Sequence, residues 1–273
     1  MNSVQKFPAV PVKQQDSKVI RLLSYNFQVG ISTNKSMDYF TSSWKHFMPH
    51  TRRIENMKRL ARFIRDYDIV GLQELDGGSF RSGFVNQAEY LAMAAGFDCW
   101  YDKINRNMGL VAKHSMGVLS RFKPENVERH DLPGFPGRGC LTVTYGKERN
   151  IGIILAHLSL GKRARLKQVD FLCELVSQFS NAVLMGDLNC IPKSEEIEML
   201  KKKAGLKDYG TARPSYPSWA PVQRLDHILV SDGLKIKNTG VLPWSLSDHL
   251  PISMEIEFEE KALDTELRIK KAA

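Results

Sequence analysis

The sequence contains no run of the roughly eighteen apolar residues that a membrane-crossing helix requires, so no helical span is expected. The opening segment, Met1 to Lys18, holds no apolar stretch of the secretory type. Cysteine is scarce. Its four copies, Cys99, Cys140, Cys173 and Cys190, lie far apart, with no pair at metal-ligand spacing and no dense disulfide framework. Three of them sit in apolar runs, where a thiol behaves as a small core residue. A soluble protein of a reducing, cytoplasmic compartment is the expectation. No internal repeat of solenoid length occurs, which sets aside a stacked-repeat architecture. Acidic residues are in deficit: 30 Asp and Glu against 39 Lys and Arg leave a net charge of +9. That balance suits an anionic partner (nucleic acid, a phospholipid headgroup or a phosphorylated metabolite), yet it also serves solubility alone.

What is present is an ordinary globular composition, 42% apolar and 25% charged over 273 residues, enough for one large domain with a sizeable core. Residues 1–18 are polar, contain Pro8 and Pro11, and read as a flexible N-terminal arm. Residues 19–258 read as the folded domain and 259–273 as a charged, helix-prone tail. Val19 to Tyr25 has the pattern of a strand ending at Asn26. Ile69 to Leu72 reads as a short buried strand that delivers Gln73 and Glu74. Helices are signalled after Thr51, where Ile54, Met57, Ala61 and Ile64 recur at helical spacing; over 87–95, stopped by Gly96; and over 162–179. Another follows Ser194, with Glu195 and Glu196 in its first turn, three lysines at its end and Gly205 beyond. Further strands are expected at 108–112, 116–120, 139–145, 149–155, 182–185, 225–230 and 252–258. Many strands with few helices fit a sheet sandwich covered by helices.

The strands share a habit of ending in, or abutting, polar residues able to hold a metal or a phosphate: Asn26, Glu74, His157, Asp187 with Asn189, Asp226, and Asp248 with His249. Strand ends are where a rigid scaffold can aim side chains into one cleft. Taken singly, Asn26 reads more readily as a turn former, Glu74 as an exposed strand end, and a histidine on an apolar strand as a satisfied core residue. Asp187 and Asn189 lie two apart, on one side of an extended chain; a carboxylate there can take a proton from water while the amide fixes the nucleophile or the phosphate. An Asx-turn before Pro192 is the plainer alternative.

Six segments carry a more specific message: Leu23-Ser24-Tyr25-Asn26, Val70-Gly71-Leu72-Gln73-Glu74, Ala156-His157-Leu158, Gly186-Asp187-Leu188-Asn189, Arg224-Leu225-Asp226-His227-Ile228 and Ser247-Asp248-His249-Leu250-Pro251-Ile252. In this order they resemble the motifs of the endonuclease/exonuclease/phosphatase superfamily, with the general plan of deoxyribonuclease I and small bacterial-type members. The resemblance implies an α+β fold, a four-layered α/β/β/α sandwich of two mixed β-sheets flanked by helices. It also implies hydrolysis of phosphate esters with Mg2+, or Mn2+ in its place, held by Asn26, Glu74 and Asp248. By the same resemblance Asp187 serves as base or water-orienting group with Asn189 beside it. His157 and His249 contact the phosphate, and Asp226 pairs with His249. Arg121, following Met116 to Leu119, matches a further family element and is expected to grip a phosphate. Arg138, between Gly137 and Gly139, is a weaker candidate, and Asn107 weaker still.

A histidine at position 157 departs from the tyrosine usual in exonuclease III-like repair enzymes, which argues against a typical abasic-site enzyme. The expected activity is a phosphodiesterase or nuclease, with a phosphatase or phospholipase C-type enzyme as the alternative. Nucleic acid ranks first as substrate, a lipid or small phosphate second, and a monomer is expected. Two regions could select the substrate. Lys162, Arg163, Arg165 and Lys167 could track a nucleic-acid backbone or form a solvated helix face. Tyr39, Phe40, Trp44 and Phe47 could stack bases, enter a lipid interface or pack an ordered insertion.

Overall fold

The structure, a computed structural model, describes residues 19–30, 51–146 and 151–257. The arm 1–18, the four aromatics between Asn26 and Thr51, and the tail from Glu259 lie outside the described residues. The elements run β1 (Val19–Asn26), α1 (Thr51–Ile64), β2 (Ile69–Asp76), α2 (Gln87–Ala95), β3 (Cys99–Asn107), β4 (Lys113–Ser120), β5 (Asn126–Asp131), β6 (Gly139–Tyr145) and β7 (Ile151–His157). They continue with α3 (Lys162–Val176), β8 (Asn181–Asp187), α4 (Glu195–Ala204), β9 (Lys207–Asp208), β10 (Asp226–Val230), β11 (Lys235–Val241) and β12 (Ile252–Glu257).

Two mixed six-stranded sheets result, with strand orders β11-β12-β1-β2-β4-β3 and β5-β6-β7-β8-β10-β9. Three apolar layers hold them. Ile20, Ile69, Val118, Leu141, Ile153, Val183, Ile228 and Ile256 fill the space between the sheets. Leu23, Leu72, Leu60, Ile64 and Leu91 seal α1 and α2 against the first sheet. Ile154, Leu184, Val169, Leu172 and Ile197 seal α3 and α4 against the second. The expected four-layered sandwich is therefore the observed fold. Among the described residues no helix is long and apolar enough to cross a membrane.

Local chemistry explains the helix limits. The Asn86 side chain accepts from the backbone N–H groups of Ala88 and Glu89 at the start of α2, and Gly96 closes it with a left-handed backbone. Ser194 and Gly205 do the same for α4. The strand expectations need two corrections. β3, β5, β9 and β11 were not foreseen, and all four are edge strands with half-exposed or polar faces, so they lack the apolar pattern that marks buried strands. Residues 108–112, expected as a strand, form the hairpin connection between β3 and β4, and Leu110 and Val111 point to solvent.

Candidate active site

Four of the polar residues reach one place for one reason. On β1, Ile20 and Leu22 face the inter-sheet layer, and side-chain alternation carries that face on to Asn26. On β7 the series Ile151, Ile153, Leu155 ends in His157, and on β8 Val183 and Met185 lead to Asp187. Read backward along β10, Val230 and Ile228 lead to Asp226. Each strand keeps its inward face and exchanges an apolar residue for a polar one at the same end of the sandwich. The register lines them up: His157 is opposite Asp187, and Asp187 is opposite Asp226.

Glu74 arrives differently. The β2–β4 ladder shifts register between Leu72 and Leu75, and Glu74 takes a left-handed φ of 54°. Such a bulge re-aims one side chain out of the strand's alternation. Gly186 solves a crowding problem just before Asp187: a Cβ there would lie 1.9 Å from the Ala156 carbonyl oxygen, and its φ is 143°.

The resulting cluster is tight. Asn26 Nδ2 donates to Glu74 Oε1 and to Asp187 Oδ2, both at 3.1 Å. His157 Nε2 lies 3.5 Å from Asp187 Oδ2 and 3.8 Å from Glu74 Oε1. On the other side of Asp187, His249 Nε2 is 3.7 Å from the same Oδ2. His249 Nδ1 is 2.8 Å from Asp226 Oδ2, which also accepts from the Ser215 hydroxyl at 2.6 Å. Asp248 joins through Gln28 Nε2 at 3.4 Å and the Ser247 hydroxyl at 3.1 Å. All these residues are buried except Glu74, whose carboxylate is partly open to solvent.

The two histidines carry different charges. Burial disfavours the imidazolium of His249, but the carboxylates of Asp226 and Asp187 outweigh burial and hold its pKa well above the ordinary value. Burial also acts on His157, where the neighbouring Arg138 guanidinium adds to it, so this ring is neutral. Arg138 Nη1 lies 2.7–2.8 Å from the His157 ring nitrogens. In the tautomer in which Nδ1 accepts from the guanidinium, Nε2–H faces Asp187 and Glu74. His157 thus faces the cluster as a neutral hydrogen-bonding group, with the positive charge of the Arg138 guanidinium beside it. Burial pushes the Asp187 carboxyl up to about 7, with Asp226 and Glu74 adding repulsion and His249 opposing. Burial likewise raises Asp248.

Asn189 stands at the rim of this cluster with a left-handed φ of 50°. Its N–H donates to Asp187 Oδ1 at 3.0 Å and its side-chain amide to the Leu158 carbonyl at 2.9 Å, so it joins the ends of β7 and β8. Arg121 is not in the cleft. β4 runs antiparallel to β2, and Ser120 pairs with Ile69 at the start of β2, the end remote from Glu74. The Arg121 guanidinium caps backbone carbonyls of Tyr67, Gly96 and Arg65 and lies over the Phe97 ring. It is a structural clamp, not a phosphate ligand.

Two supports escaped the sequence reading. Asp76 is fully buried and collects Gly78 N–H, both donors of Ser79, Arg81 Nε and the Ser82 hydroxyl, which shapes the loop that follows Glu74. Arg224 pairs with Asp208 and reaches His227 Nδ1 at 3.3 Å, while His227 Nε2 lies 2.8 Å from the Cys190 carbonyl. That chain braces the turn bearing Asn189. The only sequence signals were Gly77-Gly78-Ser79 after Asp76 and the arginine two residues before Asp226.

Four carboxyl groups, those of Glu74, Asp187, Asp226 and Asp248, gather around one imidazolium and one guanidinium. Asp187, Asp226 and His249 place ligand atoms within 4.8 Å of one another. His249 Nδ1 is committed to Asp226 and the ring favours its protonated form, so this trio suits a shared proton better than a cation. The oxygens of Glu74, Asp248 and Asn26 match a hard cation. Asn26 now turns its NH2 to the carboxylates, and its amide must rotate to offer Oδ1.

Comparison with known proteins agrees with this fold. A family profile described as Endonuclease/Exonuclease/phosphatase family matches residues 23–249. An endonuclease/exonuclease/phosphatase structure from Beutenbergia cavernae DSM 12333 superposes with a TM-score of 0.68 at 20% identity, covering 88% of this chain and 71% of that one. A mannosyl-6-phosphatase from Bacteroides thetaiotaomicron VPI-5482 gives 0.64 at 18%, covering 88% and 100%. The human Nocturnin catalytic domain gives 0.63 at 15%, covering 89% and 96%. These likenesses concern the fold. No curated protein sequence matches the chain.

Proposed function

The chain belongs to the Endonuclease/Exonuclease/phosphatase family, and from that premise we propose that its cleft hydrolyses phosphate esters by attack of water at phosphorus. The observation that carries this reading is the excess of buried carboxylate around one protonated histidine. Glu74, Asp248 and Asn26 would hold a divalent cation, magnesium or manganese, which when bound neutralises charge on the phosphoryl oxygens. Asp187, raised to about 7, is poised to take a proton from the attacking water at Oδ2. Asn189 holds the Asp187 turn and aligns the nucleophile. His249 donates from Nε2 to the oxygen on which charge develops, and Asp226 keeps it protonated and oriented through Nδ1. Arg138 contributes a fixed positive charge beside the neutral His157.

With one imidazolium and one guanidinium as cationic partners, the site suits a monoanionic diester better than a dianionic monoester. The test is turnover of bis(p-nitrophenyl) phosphate against p-nitrophenyl phosphate, with magnesium, manganese and chelator. Diester cleavage that chelation abolishes is expected, and Glu74→Gln should need much more cation. Full activity after exhaustive chelation would sink the metal reading. Cleavage of the monoester alone would replace the diesterase with a phosphatase.

A further inference from the structure

The two ends of the sandwich differ in how they meet solvent. Six described loops around the cleft each carry an outward apolar side chain; the loop bearing Asp248 and His249 and the described start of the connection after β1 do not. Phe84 follows β2, Leu110 lies in the β3–β4 hairpin, Phe135 lies between β5 and β6, Leu160 follows β7, Ile191 follows β8 and Val222 precedes β10. Their exposures run from 50% at Ile191 to 90% at Phe135. At the opposite end, the described connections 65–68, 96–98, 121–125, 177–180, 205–206 and 231–234 present no exposed large apolar side chain. Single exposed apolar residues are common, but a ring of them around one opening marks an interaction surface.

The same six loops, 77–86, 108–112, 132–138, 158–161, 188–194 and 209–225, contain no aspartate or glutamate; of their five cations, Arg81 and Arg224 are buried on Asp76 and Asp208 and Arg138 lies against His157, which leaves Lys193 and Arg213 for the rim. Lys193 and Arg213 are exposed, and Arg106 and Arg163 flank the loops with further exposed cations; the exposed acids that adjoin the loops, Asp131 and Glu195, are paired with Lys103 and Lys162. Four of the six tips are aliphatic. Aliphatic groups offer no π-face on which a nucleobase could stack. The basic run after His157 is no free backbone track either, since Lys162 pairs with Glu195 at 3.0 Å and Arg165 with Glu196 at 2.8 Å. Apolar tips with cations between them and no unpaired acid beside them fit the boundary of an anionic lipid layer, where hydrocarbon and phosphate lie side by side.

We propose that this rim is a membrane-docking surface. Its apolar tips enter the headgroup region of an anionic phospholipid bilayer, its lysines and arginines meet the lipid phosphates, and a headgroup phosphoester is thereby presented to the cleft. Only the last of these statements rests on the phosphoester-hydrolase reading. Removing one fully inserted leucine or phenylalanine weakens partitioning by roughly tenfold or more.

The experiment uses the full chain and sedimentation with vesicles of phosphatidylcholine alone or with about one-third phosphatidylserine. Binding to the mixed vesicles is expected, with a part that survives about 0.5 M salt because apolar insertion is not screened. The triple variant Phe135→Ala/Leu160→Ala/Val222→Ala should lose at least tenfold in affinity, and Phe135→Glu/Leu160→Glu/Val222→Glu at least a hundredfold. Turnover of the soluble diester and the melting temperature should stay unchanged in both, which shows an intact fold and centre. Docking is overturned by absence of vesicle binding. It is equally overturned if both variants bind like the parent, or if the same substitutions abolish binding of a single-stranded oligonucleotide while vesicles are ignored. Vesicle binding by a chain that cleaves no diester would keep the docking surface and remove the hydrolase; diester cleavage without vesicle binding would do the reverse.

Discussion

Asp226→Asn isolates the electrostatics of the site. The substitution keeps the shape of a fully buried side chain and removes its charge. In the parent, Asp226 Oδ2 accepts from Ser215 and His249 Nδ1, and its carboxylate is the leading opponent of the burial that would strip the His249 proton. Opposite charges about 4 Å apart attract by about 4 kcal/mol at an effective dielectric of about 20, a ceiling near a thousandfold in rate. Asp187 remains 3.7 Å from Nε2 and preserves part of the attraction. The expected loss in kcat is therefore on the order of a hundredfold, with KM little changed. Diester turnover for Asp226→Asn, His249→Ala and the double variant provides the assay. Since Asp226 acts through His249, the double variant should be little worse than His249→Ala alone. Multiplying losses would show that the residues act independently, and the dyad would have to be abandoned.

Three further outcomes are expected. Arg121→Met should lower stability by about 1–3 kcal/mol, because three backbone carbonyls lose their donor, while diester turnover per folded molecule stays at the parent level; a selective loss of turnover would return Arg121 to the substrate. Arg138→Met should lower kcat by roughly tenfold to a hundredfold and raise the pKa of His157, readable by NMR of the ring, since a guanidinium no longer opposes its protonation. In chelator, Asp187, raised from 3.8 to about 7, contributes stability that is complete below about pH 4 and is lost as pH rises through 7, up to about 4 kcal/mol. Denaturant titrations should therefore show Asp187→Asn gaining on the parent across that window; a pH-independent difference would mean that the buried carboxyl is not strained.

The sequence alone determined the buried strands, the helix caps and which polar residues end the inward faces. Alternation is a local property, and Leu155 to His157 or Met185 to Asp187 can be read from spacing two residues at a time. It did not determine β3, β5, β9 or β11, because an edge strand keeps one flank in solvent and needs no apolar alternation. That Arg138 and not Arg121 lies at the cleft has a similar cause. Which end of β4 or β6 meets the cleft depends on whether each strand runs parallel or antiparallel to its neighbour, a long-range choice with no signature at the arginine itself. The segment 108–112 shows the same limit from the other side. Met108, Leu110, Val111 and Ala112 have the composition of a buried strand, but the hairpin places Leu110 and Val111 at the tip of the molecule. The charges of His157 and His249 were likewise decided by tertiary structure: both are buried histidines next to Asp187, and only the neighbour on the far side differs, a guanidinium for one and a carboxylate for the other. Burial and charge pairing bring together residues that lie far apart in the chain, so they exist only once the two sheets have closed on each other.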